Sequence, residues 1–307
     1  MSSKIQMGVA APSKAVSVVL LVCLTLCFGS TYIFSIMAMQ GMGPVAAGAS
    51  RIIVGSLFLF VVVVLSGHGL VKTRVQWRAV SIYGLVFLAF PYLSIPWLLQ
   101  YLSTATVAIY YAAIPLFVLL LSWLFLGTFI SYRKWCGFMI GAAGLVVLAG
   151  VGSDAGVAAN GSVESSLELG FSILPHIVCI LGAFSLAAGG VYVQSMPPMS
   201  PLSMTSSAFL VANLVAVPVF FMDLPTAMPT VFAVAGVVGG GCIAAGLGTL
   251  IRGILIRREG AIFTSINGYM VPLYASLLGI VFLSETISGG NMLAYALVVT
   301  GLLIARK

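Results

Sequence analysis

Apolar runs of about 20 residues, each long enough to cross the hydrocarbon core of a bilayer as a helix, alternate along this chain with short polar joints. Runs at 15–37, 44–65, 77–97, 103–126 and 133–151 make a first set, and 170–194, 201–222, 229–254, 261–283 and 289–305 a second. Breaker-rich joints punctuate them: Gly41-Met42-Gly43-Pro44, Ser66-Gly67-His68-Gly69 and Met196-Pro197-Pro198-Met199-Ser200-Pro201. The longest polar stretch, 152–169, holds Asp154, Glu164 and Glu168 with no basic residue and reads as a linker between the two sets. Residues 1–14 are short, polar and basic. The next run extends to about Met39, too long for a typical signal-peptide core, so it reads as a retained first helix. The pattern predicts an all-α polytopic membrane protein of ten transmembrane helices.

Composition strengthens the membrane reading. Apolar residues make up 61% of the chain and charged residues 6%, with a mean hydropathy of +1.21. A water-soluble protein needs far more charge to cover its surface. The net charge of +7 would suit nucleic acid only if the basic residues formed an aromatic-interleaved patch, and they sit instead at the ends of apolar runs. The five cysteines lie in or beside apolar segments without metal-ligand spacing, which reads as packing.

The basic residues also orient the spans. Lys4, Lys14, Lys72, Arg74, Arg78, Arg133, Lys134, Arg257, Arg258, Arg306 and Lys307 all fall on one side if there are ten spans. The loops of the other side carry Asp154, Glu164, Glu168, Asp223 and Glu285 and no Lys or Arg. The positive-inside rule then puts both termini in the cytoplasm. A nine- or eleven-span count would scramble this segregation.

An internal repeat supports the same count. Ile114-Pro115-Leu116 recurs as Val271-Pro272-Leu273, 157 residues on, and at that offset Pro44 meets Pro201, Ser131 meets Ser288 and Gly144 meets Gly301. An odd number of spans per copy makes the second copy enter the membrane from the other side. The expected organisation is a cytoplasmic segment 1–14, a five-helix repeat 15–151, an extracytoplasmic linker 152–169 and an inverted five-helix repeat 170–307, around a central cavity. Two such repeats have two nearly equivalent packings, one open to each side, as alternating access requires.

Several local motifs point to a known family. The first half carries Phe28-Gly29-Ser30, Pro44 with Arg51 seven residues on, a proline-centred span ending Leu124-Phe125-Leu126-Gly127, and Gly137, Gly141 and Gly144; the second carries Pro272 and then Val281-Phe282-Leu283-Ser284-Glu285. Over nearly its whole length the chain resembles an EamA-type member of the drug/metabolite transporter superfamily. It departs from the family pattern at Thr128, where the first half would place a Glu, and at Ser284, where a Gly precedes the Glu. The resemblance implies a cavity lined by spans one, three, four, six, eight and nine, with spans five and ten outside it, often at a homodimer contact. It also implies export of amino acids, other metabolites or drugs from a bacterial inner membrane.

Polar residues inside the apolar runs are the candidates for substrate contact. Arg51 lies about 10 Å inside span two at 1.5 Å per residue. A charge there costs about 2–3 kcal/mol or more unless paired or wet. No acid falls inside a span, so Arg51 is either bonded to carbonyls, snorkelling, or in contact with substrate. Arg252, near the basic end of span eight, is explained by snorkelling. Tyr110 and Tyr111 lie at mid-depth before Pro115, and the repeat mate of Tyr110 is Asn267, followed by Tyr269 and Tyr274. Polar groups at that depth need another helix or a wet cavity. Pro115 and Pro272 each free a carbonyl one turn upstream and are hinge candidates. His176 could couple protons or be merely hydrogen-bonded. Ser30, Thr31 and Tyr32 of span one and Tyr83 and Tyr92 of span three could line the cavity, whereas Trp97 suits the interfacial belt. Gly137/Gly141 and Gly236/Gly240 have the spacing of close helix packing, and Asn160-Gly161-Ser162 is a glycosylation sequon on the outer side.

The leading function is a secondary transporter that exports a small metabolite. Amino acids or similar amphipathic solutes are the first choice of cargo, with drug- or nucleoside-type metabolites as the alternative. A lipid-active enzyme needs clustered His, Asp or Glu, and two histidines and six scattered acids do not supply it. A channel needs a polar ring that one chain lacks. No catalytic residue, cofactor or metal is expected; the partners are the small-molecule substrate and the lipid bilayer, and the chain is a monomer or a homodimer.

Overall fold

The protein is described from a computed structural model, which covers residues 14–127, most of 131–147, 166–223, 229–283 and 289–306. Thr128, Ser284, Glu285, most of the linker and the Asn160 sequon lie outside the described residues. So does part of the fifth apolar run. Among the described residues every regular element is helical. Seven helices are long and apolar enough to cross a membrane: Lys14–Met39, Pro44–Leu65, Arg74–Leu98, Thr106–Leu126, Ile173–Ser195, Pro201–Met222 and Val231–Thr264. Two further apolar helices come after them, Asn267–Leu283 and Gly289–Arg306.

Helix ends follow local chemistry. Pro44 and Pro201 open their helices at the first position, where the missing N–H is not needed. Thr73 and Gln76 form a reciprocal capping box at the start of Arg74–Leu98. The Pro44–Leu65 helix has no side-chain cap of its own, and the Asp223 carboxylate at the end of Pro201–Met222 accepts from the Ala46 N–H instead, at 3.1 Å. An anion at a helix N-terminus also complements the helix dipole. At the opposite face Ser207 Oγ accepts from Val71 N (3.2 Å) and Ser203 Oγ donates to the Gly69 carbonyl (2.6 Å). The two helices are thus tied at both ends.

Between those ties Pro44–Leu65 and Pro201–Met222 pack along each other, with Ala49, Ile52, Leu59, Met204, Ala208, Phe209 and Ala212 in one buried cluster. Small residues let the backbones approach, the main source of helix association where lipid is as apolar as the core. Outward faces remain apolar, with Val61, Val64, Leu214, Phe221 and Leu273 exposed. Such a surface is stable only against lipid. Gly301 packs on the fifth run, where a Cβ added to it would stand 2.5 Å from the Gly137 carbonyl oxygen and 2.7 Å from Gly141 N. That small-residue stripe is therefore used within the chain.

Two helices widen into π-type turns, at Tyr83–Ala89 and at Gly240–Leu247. They start 157 residues apart, the offset of the sequence repeat. The second residue of each is a glycine pressed against another helix. A Cβ on Gly84 would lie 2.4 Å from the Ala208 carbonyl oxygen, and one on Gly241 2.6 Å from Val54 Cβ.

Three apolar runs are interrupted by short breaks. Lys14–Gly29 and Thr31–Met39 meet at Ser30, Thr104–Tyr111 and Ile114–Leu126 at 112–113, and the turn after Thr264 ends before Asn267. Pro115 lies just after the 112–113 break and leaves no N–H for the Tyr111 carbonyl. Pro272 lies inside a continuous helix. The chain reverses at Gly260 (φ 86°, ψ 168°), a region of backbone space open almost only to glycine. Gly260→Ala is expected to destabilise the protein by about 1–3 kcal/mol, seen as a lowered Tm of the detergent-solubilised chain; an unchanged Tm would contradict the assigned turn.

Candidate functional site

A partly open cavity lies at the centre of the helices. Its lining comes from Leu24, Phe28, Thr31 and Tyr32 on the first helix, Pro91, Tyr92 and Ile95 on the third, and Tyr111, Ile114 and Val118 on the fourth. Leu186, Gly190, Arg252, Ile256, Ala261, Thr264, Ser265, Asn267, Gly268 and Val271 complete it, together with Arg51. These are the spans the resemblance implied, with span two added through one side chain.

Arg51 is fully buried. Its Nη1 donates to Ser35 Oγ (3.0 Å) and its Nη2 to Thr31 Oγ1 (3.4 Å), and its guanidinium carbon stands 5.2 Å from the centroid of the Tyr92 ring. Ser35 passes its own proton to the Thr31 carbonyl at 2.7 Å, leaving its lone pairs for the arginine. The glycine at 240 makes room, since a Cβ there would come within 3.1 Å of Arg51 Cγ. Arg51 therefore neither snorkels nor rests on backbone carbonyls. It is held by two hydroxyls and an aromatic face, with Nε buried and without a hydrogen bond to any of the described residues.

Arg252 corrects the sequence reading more sharply. It does not extend to the membrane surface but is 8% exposed, lines the cavity and donates from Nη2 to the Leu186 carbonyl. Tyr92 OH and Thr249 Oγ1 are 2.6 Å apart.

Of the ten residues singled out by sequence, Tyr32, Arg51, Tyr111 and Asn267 are in the cavity lining. Thr25 Oγ1 donates toward Asn267 Oδ1 at 2.9 Å, sharing its proton with the Leu21 carbonyl. The other six pack outside that lining. Tyr110, buried in a cluster with Leu98 and Ile109, has its hydroxyl 2.8 Å from His176 Nδ1. Ser30 returns its hydroxyl to the Leu26 carbonyl. Tyr83 is buried beside Gly189, Tyr274 packs against Gly29, and Tyr269 is buried. The Trp97 ring packs at a tilt against Tyr101, with centroids 4.9 Å apart, near the helix end.

Sequence reasoning missed Thr25, Ser35, Thr249 and the Thr264-Ser265 pair. Two of these carried a signal: Ser35 stands one helical turn after Thr31, and Thr249 is 157 residues after Tyr92. Among the described residues no group of three or more His, Cys, Asp or Glu could hold a metal ion. The site can bind and orient a small molecule through two cations, several hydroxyls and an amide.

No curated protein matches the sequence. A solved crystal structure superposes with a TM-score of 0.68 over 95% of this chain and 96% of its own, at 16% identity, which shows a shared fold. Residues 15–150 match the EamA-like transporter family. Taken with the multiple apolar helices, that match makes the protein an integral multi-pass membrane protein carrying, over residues 15–150, an EamA domain of the drug/metabolite transporter superfamily.

Proposed function

We propose that the chain is a secondary transporter that exports a small metabolite by alternating access, built from ten spans in two inverted repeats, 15–151 and 170–307, with both termini in the cytoplasm. The observation that carries this reading is the Tyr92–Thr249 hydrogen bond beside the central cavity, because its partners are 157 residues apart and so occupy the same position in each repeat. A contact between equivalent positions is what a two-fold axis between the repeats would produce. The paired π-type turns and their paired glycines support the same axis. Pseudo-symmetric halves around one cavity provide the two packings that alternating access uses. Amino acids or similar amphipathic solutes suit the mixture of aromatic, aliphatic and hydroxyl groups in the lining. In a homodimer, the outer faces of spans five and ten would meet.

The test is solute flux in proteoliposomes. Asn267→Ala and Tyr111→Ala are each expected to lower flux about tenfold, the loss of one good buried contact, with folded yield unchanged by size-exclusion chromatography. Wild-type flux in both folded variants would remove these residues from the transport route. Linear, unsaturable flux with unitary currents would replace a carrier with a channel.

A further inference from the structure

The cavity has a charge that an amino acid would not balance. Two guanidinium groups border it, from Arg51 and Arg252, and no Asp or Glu is among its lining residues. Arg51 lies over the ring of Tyr92, which lines the same cavity as both cations. Each is held by neutral groups only in the bonds identified, Thr31 and Ser35 for one and the Leu186 carbonyl for the other. Arg51 Nε is buried without a hydrogen-bond partner among the described residues, although a buried donor is expected to have one.

Uncompensated cations in a low-dielectric cavity favour an anion strongly. A zwitterion fits poorly here, because its ammonium would meet two like charges and no carboxylate. The apolar part of the lining, with Phe28, Ile95, Ile114, Val118 and Val271, asks for a hydrocarbon body. We infer that the cargo is an organic dianion, a dicarboxylate or a phosphate monoester with an apolar body and no ammonium group, bound between Arg51 and Arg252. This rests on the transporter reading and narrows its substrate class away from amino acids.

The experiment is thermal unfolding of the purified chain in phosphatidylcholine nanodiscs, with probes of matched shape. Benzylmalonate and phenylalanine share a skeleton and differ by one carboxylate against one ammonium. Benzyl phosphate supplies the phosphate arm, and nanodiscs containing phosphatidylglycerol test whether a lipid headgroup takes the site instead. Benzylmalonate or benzyl phosphate is expected to raise Tm in a saturable way, at least about tenfold tighter than phenylalanine. Arg51→Lys and Arg252→Gln should each weaken that binding about tenfold or more; if one variant fails to fold, the other carries the comparison. Equal stabilisation by phenylalanine, no shift with either dianion, stabilisation by the anionic lipid alone, or binding indifferent to the folded variants would overturn the inference. Arg51-dependent binding of benzylmalonate without flux would keep the site and remove the transporter. Phenylalanine flux without dianion binding would do the reverse.

Discussion

Arg51→Met is expected to leave the protein at least as stable as the wild type while reducing flux roughly ten- to hundredfold. The two effects separate because of what surrounds the guanidinium. It is fully buried, yet its identified partners are two hydroxyls and the face of Tyr92. Ser35 keeps its own bond to the Thr31 carbonyl when the arginine is gone. Removing Arg51 therefore strands no opposite charge, whereas breaking a buried ion pair strands one and typically costs about 3–5 kcal/mol. Methionine fills much of the same volume and avoids the cost of a charge in a membrane interior, about 2–3 kcal/mol or more. The functional loss comes from a charge-assisted contact to substrate, worth about 1.5–3 kcal/mol, or roughly ten- to hundredfold. Thermal unfolding and proteoliposome flux measured on one preparation decide the matter. A large fall in Tm together with normal specific flux would make Arg51 a structural residue.

The largest loss of stability is expected from valine at Gly84 or Gly241. A Cβ on Gly84 would sit 2.4 Å from a backbone carbonyl, that of Ala208, which cannot move without shifting its helix. On Gly241 it would sit 2.6 Å from Val54 Cβ and 3.1 Å from the Gly55 amide. Overpacking of this kind costs about 1–3 kcal/mol where neighbours can adjust and more where they are backbone. Gly84→Val should therefore abolish the monodisperse peak in size-exclusion chromatography, and Gly241→Val should reduce it severely. Gly67, which has nothing within 4 Å of an added Cβ, lies at φ 67° and would report backbone strain without crowding. A normal elution profile for Gly84→Val would contradict the close crossing with Pro201–Met222.

Helix placement was legible because its causes are local. Pro44, Pro201 and the polar joints mark where helices start, and Pro44–Leu65 and Pro201–Met222 coincide with apolar runs to the residue. The glycine that reverses the chain comes directly after Arg257-Arg258-Glu259, so that turn could also be read. The break at 265–266 has no proline or glycine of its own, and the one at 112–113 is marked only indirectly, by Pro115. The π-type turns were invisible because the residues around them are apolar on every face, so a shift of helical phase leaves no trace in the hydropathy.

That shift of phase also explains why the direction of Arg252 is not legible. An extra residue in a widened turn rotates the downstream part of the helix by about 100°. Depth along the sequence therefore gave the position of Arg252 but not the side it faces. Arg51 was legible as an anomaly, since a charge in an apolar run needs an explanation; its partners were not, because Thr31 and Ser35 lie on another helix. Tyr110 and His176 were each visible alone, and only the packing of two helices joins these residues, 66 apart in sequence.

The Tyr92–Thr249 bond has a consequence for how such a machine is balanced. Under the proposed repeat, the bond maps onto itself when the two halves trade conformations. The backbone spacing of its two partners is then the same whichever side the cavity faces, so the bond enters the equilibrium constant between the two orientations only through the difference between tyrosine and threonine. Positions whose repeat mates differ in charge, such as Arg51 and the Ala208 that stands 157 residues after it, have no such symmetry and set the resting bias. The one bond can thus be strong, at 2.6 Å, without trapping the carrier in either orientation.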